Sequence, residues 1–249
     1  MSSTNTSNAQ VFRLAGAAAV VAGSCYLLVG LFHPANVSSS VSSTRWEIVH
    51  YLACAMCIFG LLGLTGLYAR QSRKPGWLNL VGYILLSLWF ALIMGFSFIE
   101  AFALPHISRS SPGFVDGWMA MLNGSGSTAG MGALPTVWLL TAPIYMLGGL
   151  LFGIAIYRSG IFPRWAGVLL AAGTLLAPVA GLLPLAAQPK AAVPVGFAFI
   201  WLGYALWSNP ASATATPAVV PRQTSNAMRT LDGEPAHPHG QPAARKIRS

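Results

Sequence analysis

The chain has 249 residues, of which 55% are hydrophobic and only 8% are charged. Soluble domains usually carry about 25% charged residues, so this composition excludes a water-soluble globule, and it excludes disorder for most of the chain. Three cysteines are too few, and odd in number, for a disulfide scaffold. The composition therefore predicts a protein that crosses a lipid bilayer several times.

Apolar stretches of about 18 or more residues are long enough to cross a bilayer as helices. Six stretches reach this length, and none alternates as a membrane β-strand does. They cover residues 11–32, 48–68, 77–104, 135–157, 165–183 and 191–207. We predict an all-α bundle of six transmembrane helices over residues 11–208. A flexible tail at 1–10 precedes it, and a disordered basic tail at 209–249 follows it.

The distribution of Lys and Arg predicts the orientation, because cytoplasmic loops carry an excess of these residues. Six spans place both termini on one side, together with 11 of the 14 basic residues. The other three, Arg45, Arg109 and Lys190, fall on the opposite side. We therefore predict that both termini are cytoplasmic. The net charge of +9 is spread over several loops, which does not favour a nucleic-acid partner.

Tryptophans mark the predicted membrane boundaries, where amphipathic rings meet lipid headgroups. Five of them fall at predicted span ends: Trp46, Trp77, Trp138, Trp165 and Trp207. Trp89 and Trp201 lie deeper and are predicted to be packing residues.

Small residues recur at spacings that allow helix backbones to approach closely in lipid. The sets are Gly16, Gly23 and Gly30; Gly60, Gly63 and Gly66; Gly149 and Gly153; and Gly167 with Ala171. They predict either a compact bundle or a face for a homo-oligomer or a membrane-protein partner. Pro143 and Pro178 are predicted to kink the fourth and fifth spans.

Three ionisable side chains reach the predicted outer end of the bundle. At a rise of 1.5 Å per residue, His33, His50 and Glu100 lie about 30, 27 and 35 Å from the inner ends of their helices. The hydrocarbon core is about 30 Å thick, so all three lie near its outer boundary. Glu47 and His106 are close to them in sequence.

These five residues are the candidate ligand-binding residues, and His33, His50 and Glu100 are also the candidate metal ligands. On the second helix, Glu47, His50, Cys54 and Cys57 share one stripe at helical spacing. A carboxylate, an imidazole and thiols on one face suit a metal, a haem iron or a proton relay. The alternative is a structural polar rim, in which these side chains only join neighbouring helices. The identity of any cofactor is left open.

Two of the predicted inner loops share a short set of residues, which suggests an internal repeat. Arg70, Pro75 and Trp77 match Arg158, Pro163 and Trp165 at a spacing of 88 residues. A duplicated helical hairpin produces such a match, and so does the interface chemistry that any two inner loops share.

Several short motifs resemble a widespread family of small bacterial multi-pass membrane proteins of unknown function. The residues that carry the resemblance are His33-Pro34, Trp46-x-x-x-His50, Gly63-Leu-Thr-Gly-Leu-Tyr68, Phe98-Ile-Glu100, Gly160-Ile-Phe-Pro163 and Trp201-Leu-Gly-Tyr204. The resemblance spans residues 14–208. It implies placement in the cytoplasmic membrane of a bacterium and carries over no catalytic residue.

Three functions fit these observations. The first is a non-enzymatic accessory or interaction component, since the sequence has no P-loop, GxGxxG or HExxH motif. The second is a small-molecule transporter or channel. The third is a membrane-embedded metal-, haem- or quinone-binding protein with its site near the outer face.

Overall fold

The structure, a computed structural model, describes residues 3–72 and 76–209. All regular secondary structure in these ranges is helical. The α-helices are α1 (Ser3–Phe32), α2 (Thr44–Gln71), α3 (Trp77–Phe98), α4 (Leu104–Ile107), α5 (Pro112–Asn123), α6 (Leu134–Ser159), α7 (Arg164–Thr174), α8 (Ala177–Ala180) and α9 (Val193–Ser208). A π-helical turn, Ile99–Ala103, joins α3 to α4, and 3₁₀ turns lie at Ser38–Ser40 and Gln188–Ala192.

Five helical segments of the described chain are long and apolar enough to cross a membrane. They are Asn8–Phe32, Thr44–Gln71, Trp77–Ile107, Leu134–Ser159 and Gln188–Ser208. They match five of the six predicted spans, so the chain is an all-helical protein with the features of a multi-pass membrane protein.

The remaining predicted span, 165–183, is interrupted. Helix α7 ends at Thr174 after 11 residues and spans about 16 Å, roughly half of a hydrocarbon core. Pro178 explains the interruption, because it has no N–H for the Thr174 carbonyl and its ring would clash with that carbonyl in a continuous helix. The predicted kink at Pro178 is thus a full break. Six spans and two cytoplasmic termini stay predictions.

Helix α1 begins at Ser3, so residues 3–10, predicted as a flexible tail, continue the first helix. No Pro or Gly lies among these residues to stop the helix. The predicted C-terminal tail, 209–249, lies outside the described residues except for Asn209.

Close approaches at glycine hold the long helices together. An added Cβ at Gly16 or Gly23 would lie 2.7 or 2.5 Å from a backbone oxygen of α9. One at Gly63 would lie 2.6 Å from the Cα of Ala19 on α1, and one at Gly153 would lie 2.5 Å from a carbonyl of α7. The predicted compact bundle is confirmed. These glycine faces are covered within the chain, and the predicted oligomer or membrane-protein partner stays untested.

One end of the bundle carries a cap, which we define as residues 105–134 with α5 at its centre. Its apolar face joins a second hydrophobic cluster with Trp46, Phe96 and Leu104 of the bundle. Three hydrogen bonds attach the cap to the loop after α1. Ser38 Oγ donates to Asp116 Oδ1 (2.5 Å), Asn123 Nδ2 donates to the Asn36 carbonyl (2.8 Å), and the hydroxyls of Ser42 and Ser108 share the third (3.2 Å). The 12-residue helix α5 is therefore packed onto the end of the bundle.

The tryptophan side chains differ in how far they are exposed on the surface of the bundle. Three of those predicted at span ends are at least half exposed: Trp77, Trp165 and Trp207. Trp46 lies at a span end as predicted, in the first turn of α2, but it is 0% exposed within the cluster that the cap forms with the bundle and does not face the headgroups. Trp201 is 42% exposed and lies on the outside of the bundle, so its assignment as a packing residue is wrong. Trp89 stacks on Tyr145 with ring centroids 4.4 Å apart, as predicted for a packing residue.

The two hairpins of the proposed repeat differ in length. Helix α3 has 22 residues, whereas α7, its counterpart, has 11. Pro75 lies outside the described residues. Both explanations of the repeat remain open.

Candidate functional site

The site beneath the cap is built on the π-helical turn that carries Glu100. In this turn the Leu104 N–H donates to the carbonyl of Ile99, five residues back. The next residue, Pro105, has no N–H, so the helix offers no donor to the Glu100 carbonyl. Turns of this kind inside α-helices frequently occur at functional sites.

Trp46 satisfies that free carbonyl. Its indole Nε1–H donates to the Glu100 carbonyl oxygen over 2.9 Å, and both residues are buried. Trp46 is in the first turn of α2, where Ser43 caps the helix by accepting a hydrogen bond from the Trp46 N–H (3.2 Å). The start of α2 is thus tied to the end of α3.

The Glu100 carboxylate has a partner for each oxygen. Trp118 of the cap donates its indole N–H to Oε1 over 3.1 Å, and His50 Nε2 lies 3.3 Å from Oε2. All three side chains are buried. A carboxylate in such a place must be paired or neutral, because an isolated buried charge is very costly. The cap therefore completes the environment of Glu100.

His50 links the carboxylate to α2. Its Nδ1 lies 2.7 Å from the Trp46 carbonyl, which can only accept, so Nδ1 carries a proton and donates it. His50 Nε2 faces Glu100 Oε2 at 3.3 Å, so the ring connects the Trp46 carbonyl on α2 with the carboxylate on the π-helical turn.

His33 is the third member of the site and follows the last residue of α1. Its Nδ1 donates to the Pro34 carbonyl (2.6 Å), and its ring meets the ring of His50 edge-on with centroids 5.0 Å apart. Burial, followed by the proximity of His50, lowers the pKa of His33 to about 4. The ring is therefore neutral near pH 7. Its Nε2 is an acceptor with no partner among the described residues.

These three side chains lie at one end of a cavity of about 320 Å³. The rest of its wall is mainly apolar and aromatic, and includes Tyr26, Trp89, Phe96, Trp138 and Tyr145. Ser97, three residues before Glu100, also lines the cavity. Gly173, Ala177 and Ala180, around the Pro178 break, close another side together with four residues of the 3₁₀ turn before α9: Gln188, Pro189, Ala191 and Ala192. Ligand pockets are typically 300–1,000 Å³ and apolar with a few polar groups, which describes this cavity.

The other two candidate ligand-binding residues do not join the site. His106 is exposed on α4, and Glu47 is half-buried in the first turn of α2; neither lines the cavity. Cys54 and Cys57 are buried, but neither lines it. The helical stripe predicted on α2 thus contributes only His50, because the cavity follows the face of α2 that carries His50, Ala53 and Met56.

The predicted metal site gains no support. Among the described residues, no three His, Cys, Asp or Glu side chains are arranged to hold a metal ion. The physical reason is that the donor atoms already have protein partners. His50 uses both ring nitrogens and Glu100 uses both oxygens, which leaves only Nε2 of His33.

Two residues of the site are absent from the sequence-based prediction, namely the indole donors Trp46 and Trp118. Trp46 lies four residues before His50, a spacing that places both on one helix face, and this signal could have found it. Trp118 comes from the cap, and no local pattern indicates that it reaches Glu100.

No family model, curated protein or solved structure matches the chain. The resemblance to the bacterial membrane family therefore stays a prediction.

Proposed function

We propose that this protein binds a small lipophilic molecule whose ring carries a hydroxyl group, as phenols and quinols do. The supporting observation is the 320 Å³ aromatic cavity with His33, His50 and Glu100 at one end. A cavity of about 150 Å³ already accommodates benzene, so this one has room for a fused-ring compound.

The hydroxyl group of the ligand follows from an unused hydrogen-bond acceptor, the Nε2 atom of His33. His33 is neutral and its Nδ1–H is bound to the Pro34 carbonyl, so its Nε2 needs a donor. A ligand hydroxyl supplies one. A quinone carbonyl can only accept a hydrogen bond. His33 Nε2 therefore favours the reduced, hydroxyl-bearing form of such a ligand over the quinone.

The hydrophobic part of the ligand would pack between aromatic side chains. Trp89 stacks with both Tyr26 and Tyr145, with ring centroids 6.2 and 4.4 Å apart, and all three rings line the cavity. Such surfaces suit planar rings, because offset stacking adds to the gain from burying apolar area. This proposal develops the third function predicted from the sequence. It requires no chemical step.

Equilibrium dialysis in detergent micelles tests the proposal with two probes, 2-methyl-1-naphthol and 2-methylnaphthalene, which differ by the hydroxyl group. We expect the naphthol to bind about 3- to 10-fold more tightly, the value of one hydrogen bond. His33→Phe should abolish that difference. The matched control His106→Phe, on an exposed histidine outside the cavity, should leave it unchanged. Equal binding of both probes to the wild type would refute the proposal.

We also propose that the protein lies in the cytoplasmic membrane of a bacterium with both termini inside. The support is the distribution of Lys and Arg. If the interrupted α7–α8 segment completes a sixth crossing, 11 of the 14 basic residues lie on the same side of the membrane as the two termini. A reporter fused after Ser249 should be active in the cytoplasm. Activity only outside the cell would reject the proposed topology.

A further inference from the structure

A second cavity, of about 280 Å³, lies at the end of the bundle opposite the cap. Its wall combines the end of α2, the start of α3 and the end of α6, with Gln71, Trp77, Asn79 and Arg158 as its main functional groups. Trp77 is 69% exposed at the first position of α3, as expected for a tryptophan at the headgroup layer. This cavity is therefore placed at a membrane boundary.

Two buried amide side chains in this cavity have unused polar atoms. Gln71 is 1% exposed and Asn79 is 5% exposed. Both Oε1 and Nε2 of Gln71, and Oδ1 of Asn79, have no hydrogen-bond partner among the described residues. Buried polar groups are nearly always paired, and each unpaired one reduces stability. A molecule in the cavity would remove this penalty.

The unused atoms define the chemistry of that molecule. Two amide oxygens require N–H or O–H donors, and the Gln71 amide N–H requires an acceptor. Arg158 adds a positive charge, and the described residues that line the cavity include no carboxylate. A single occupant that pairs with all of these groups combines several donors with an anionic acceptor.

We propose that this cavity binds a phosphoethanolamine group, the head group of phosphatidylethanolamine. Its ammonium would donate to Gln71 Oε1 and Asn79 Oδ1, and its phosphate would accept from Gln71 Nε2 and Arg158. The indole of Trp77, which also lines the cavity, would add a cation–π attraction to the ammonium. The proposal rests on different residues from those of the capped cavity and is independent of the function proposed above.

Native mass spectrometry from nanodiscs of mixed lipids tests it with phosphatidylethanolamine and phosphatidylcholine of the same acyl chains. The choline head keeps the charge and the phosphate but has no N–H donors. We expect about a tenfold preference for phosphatidylethanolamine, equivalent to about 1.4 kcal/mol. Equal retention of the two lipids would overturn the proposal and leave water as the occupant.

Three variants assign the preference to the site. Gln71→Leu and Asn79→Leu should each abolish it, and both should raise the melting temperature without lipid, because each removes an unpaired buried amide. Arg158→Gln should weaken retention of both lipids while keeping the preference, since it affects the phosphate alone. The control Gln10→Leu, on an exposed residue of α1, should change nothing. A preference that survives in both Leu variants would refute the assignment.

Competition with soluble O-phosphoethanolamine identifies the source of the group. Displacement of the lipid by this compound at a similar concentration would support the same chemistry and assign a soluble ligand. Failure to displace it, together with the expected lipid preference, would support a lipid whose acyl chains contribute to binding.

Discussion

Replacing Glu100 by alanine removes the carboxylate that, among the described residues, pairs with the buried Trp118 indole N–H and with the buried His50 ring. Trp118 Nε1–H and His50 Nε2 lie 3.1 and 3.3 Å from the carboxylate oxygens, and the two residues are 0% and 2% exposed. Each then loses its side-chain partner, at a cost of about 1–3 kcal/mol. The Trp46 bond to the Glu100 main chain is kept. The expected loss in the free energy of unfolding is therefore about 2–6 kcal/mol.

The assay is thermal unfolding of the detergent-solubilised protein, where a loss of about 3 kcal/mol lowers the melting temperature by roughly 10 °C. Glu100→Gln should recover more than half of the loss, because an amide still accepts from Trp118 and donates to His50. Glu47→Ala is the matched control on a half-buried glutamate outside the site, and it should shift the melting temperature by less than about 2 °C. Equal shifts for Glu100→Ala and Glu47→Ala would refute the argument.

Three further predictions concern stability. Trp46→Phe should cost about 1–3 kcal/mol, because it leaves the Glu100 carbonyl without a donor, whereas Trp165→Phe, at an exposed ring, should cost almost nothing; denaturant titration compares the two. Gly63→Ala should destabilise by about 1–3 kcal/mol, because its Cβ would meet α1 at 2.6 Å, whereas Gly95→Ala, with nothing within 4 Å, should gain about 0.5–1 kcal/mol in the same assay. The lowered pKa of His33 means that the unfolded chain binds more protons between about pH 6.5 and pH 4. Stability should therefore fall as the pH drops through this window, and less so in His33→Phe; a wild type and variant with parallel pH profiles of melting temperature would contradict it.

Local patterns predicted much of the site's position. Counting residues along apolar helices places His33, His50 and Glu100 at one level, and the structure brings them into one cluster. The same counting placed Glu47 and His106 nearby, but depth along a helix says nothing about the direction in which a side chain points. Glu47 and His106 are therefore at the right end of the bundle but outside the cavity.

The helices themselves follow from composition and periodicity, because in an apolar solvent the backbone must satisfy its own hydrogen bonds. Apolar length and Pro178 are local features, and they account for five long helices and for the break after Thr174. The partners of Glu100 depend on contacts between residues distant in the chain: Trp46 is 54 positions away and Trp118 belongs to the cap. Their burial, the cavity and the use of the glycine faces arise only when the helices pack, because each is a property of the space between elements.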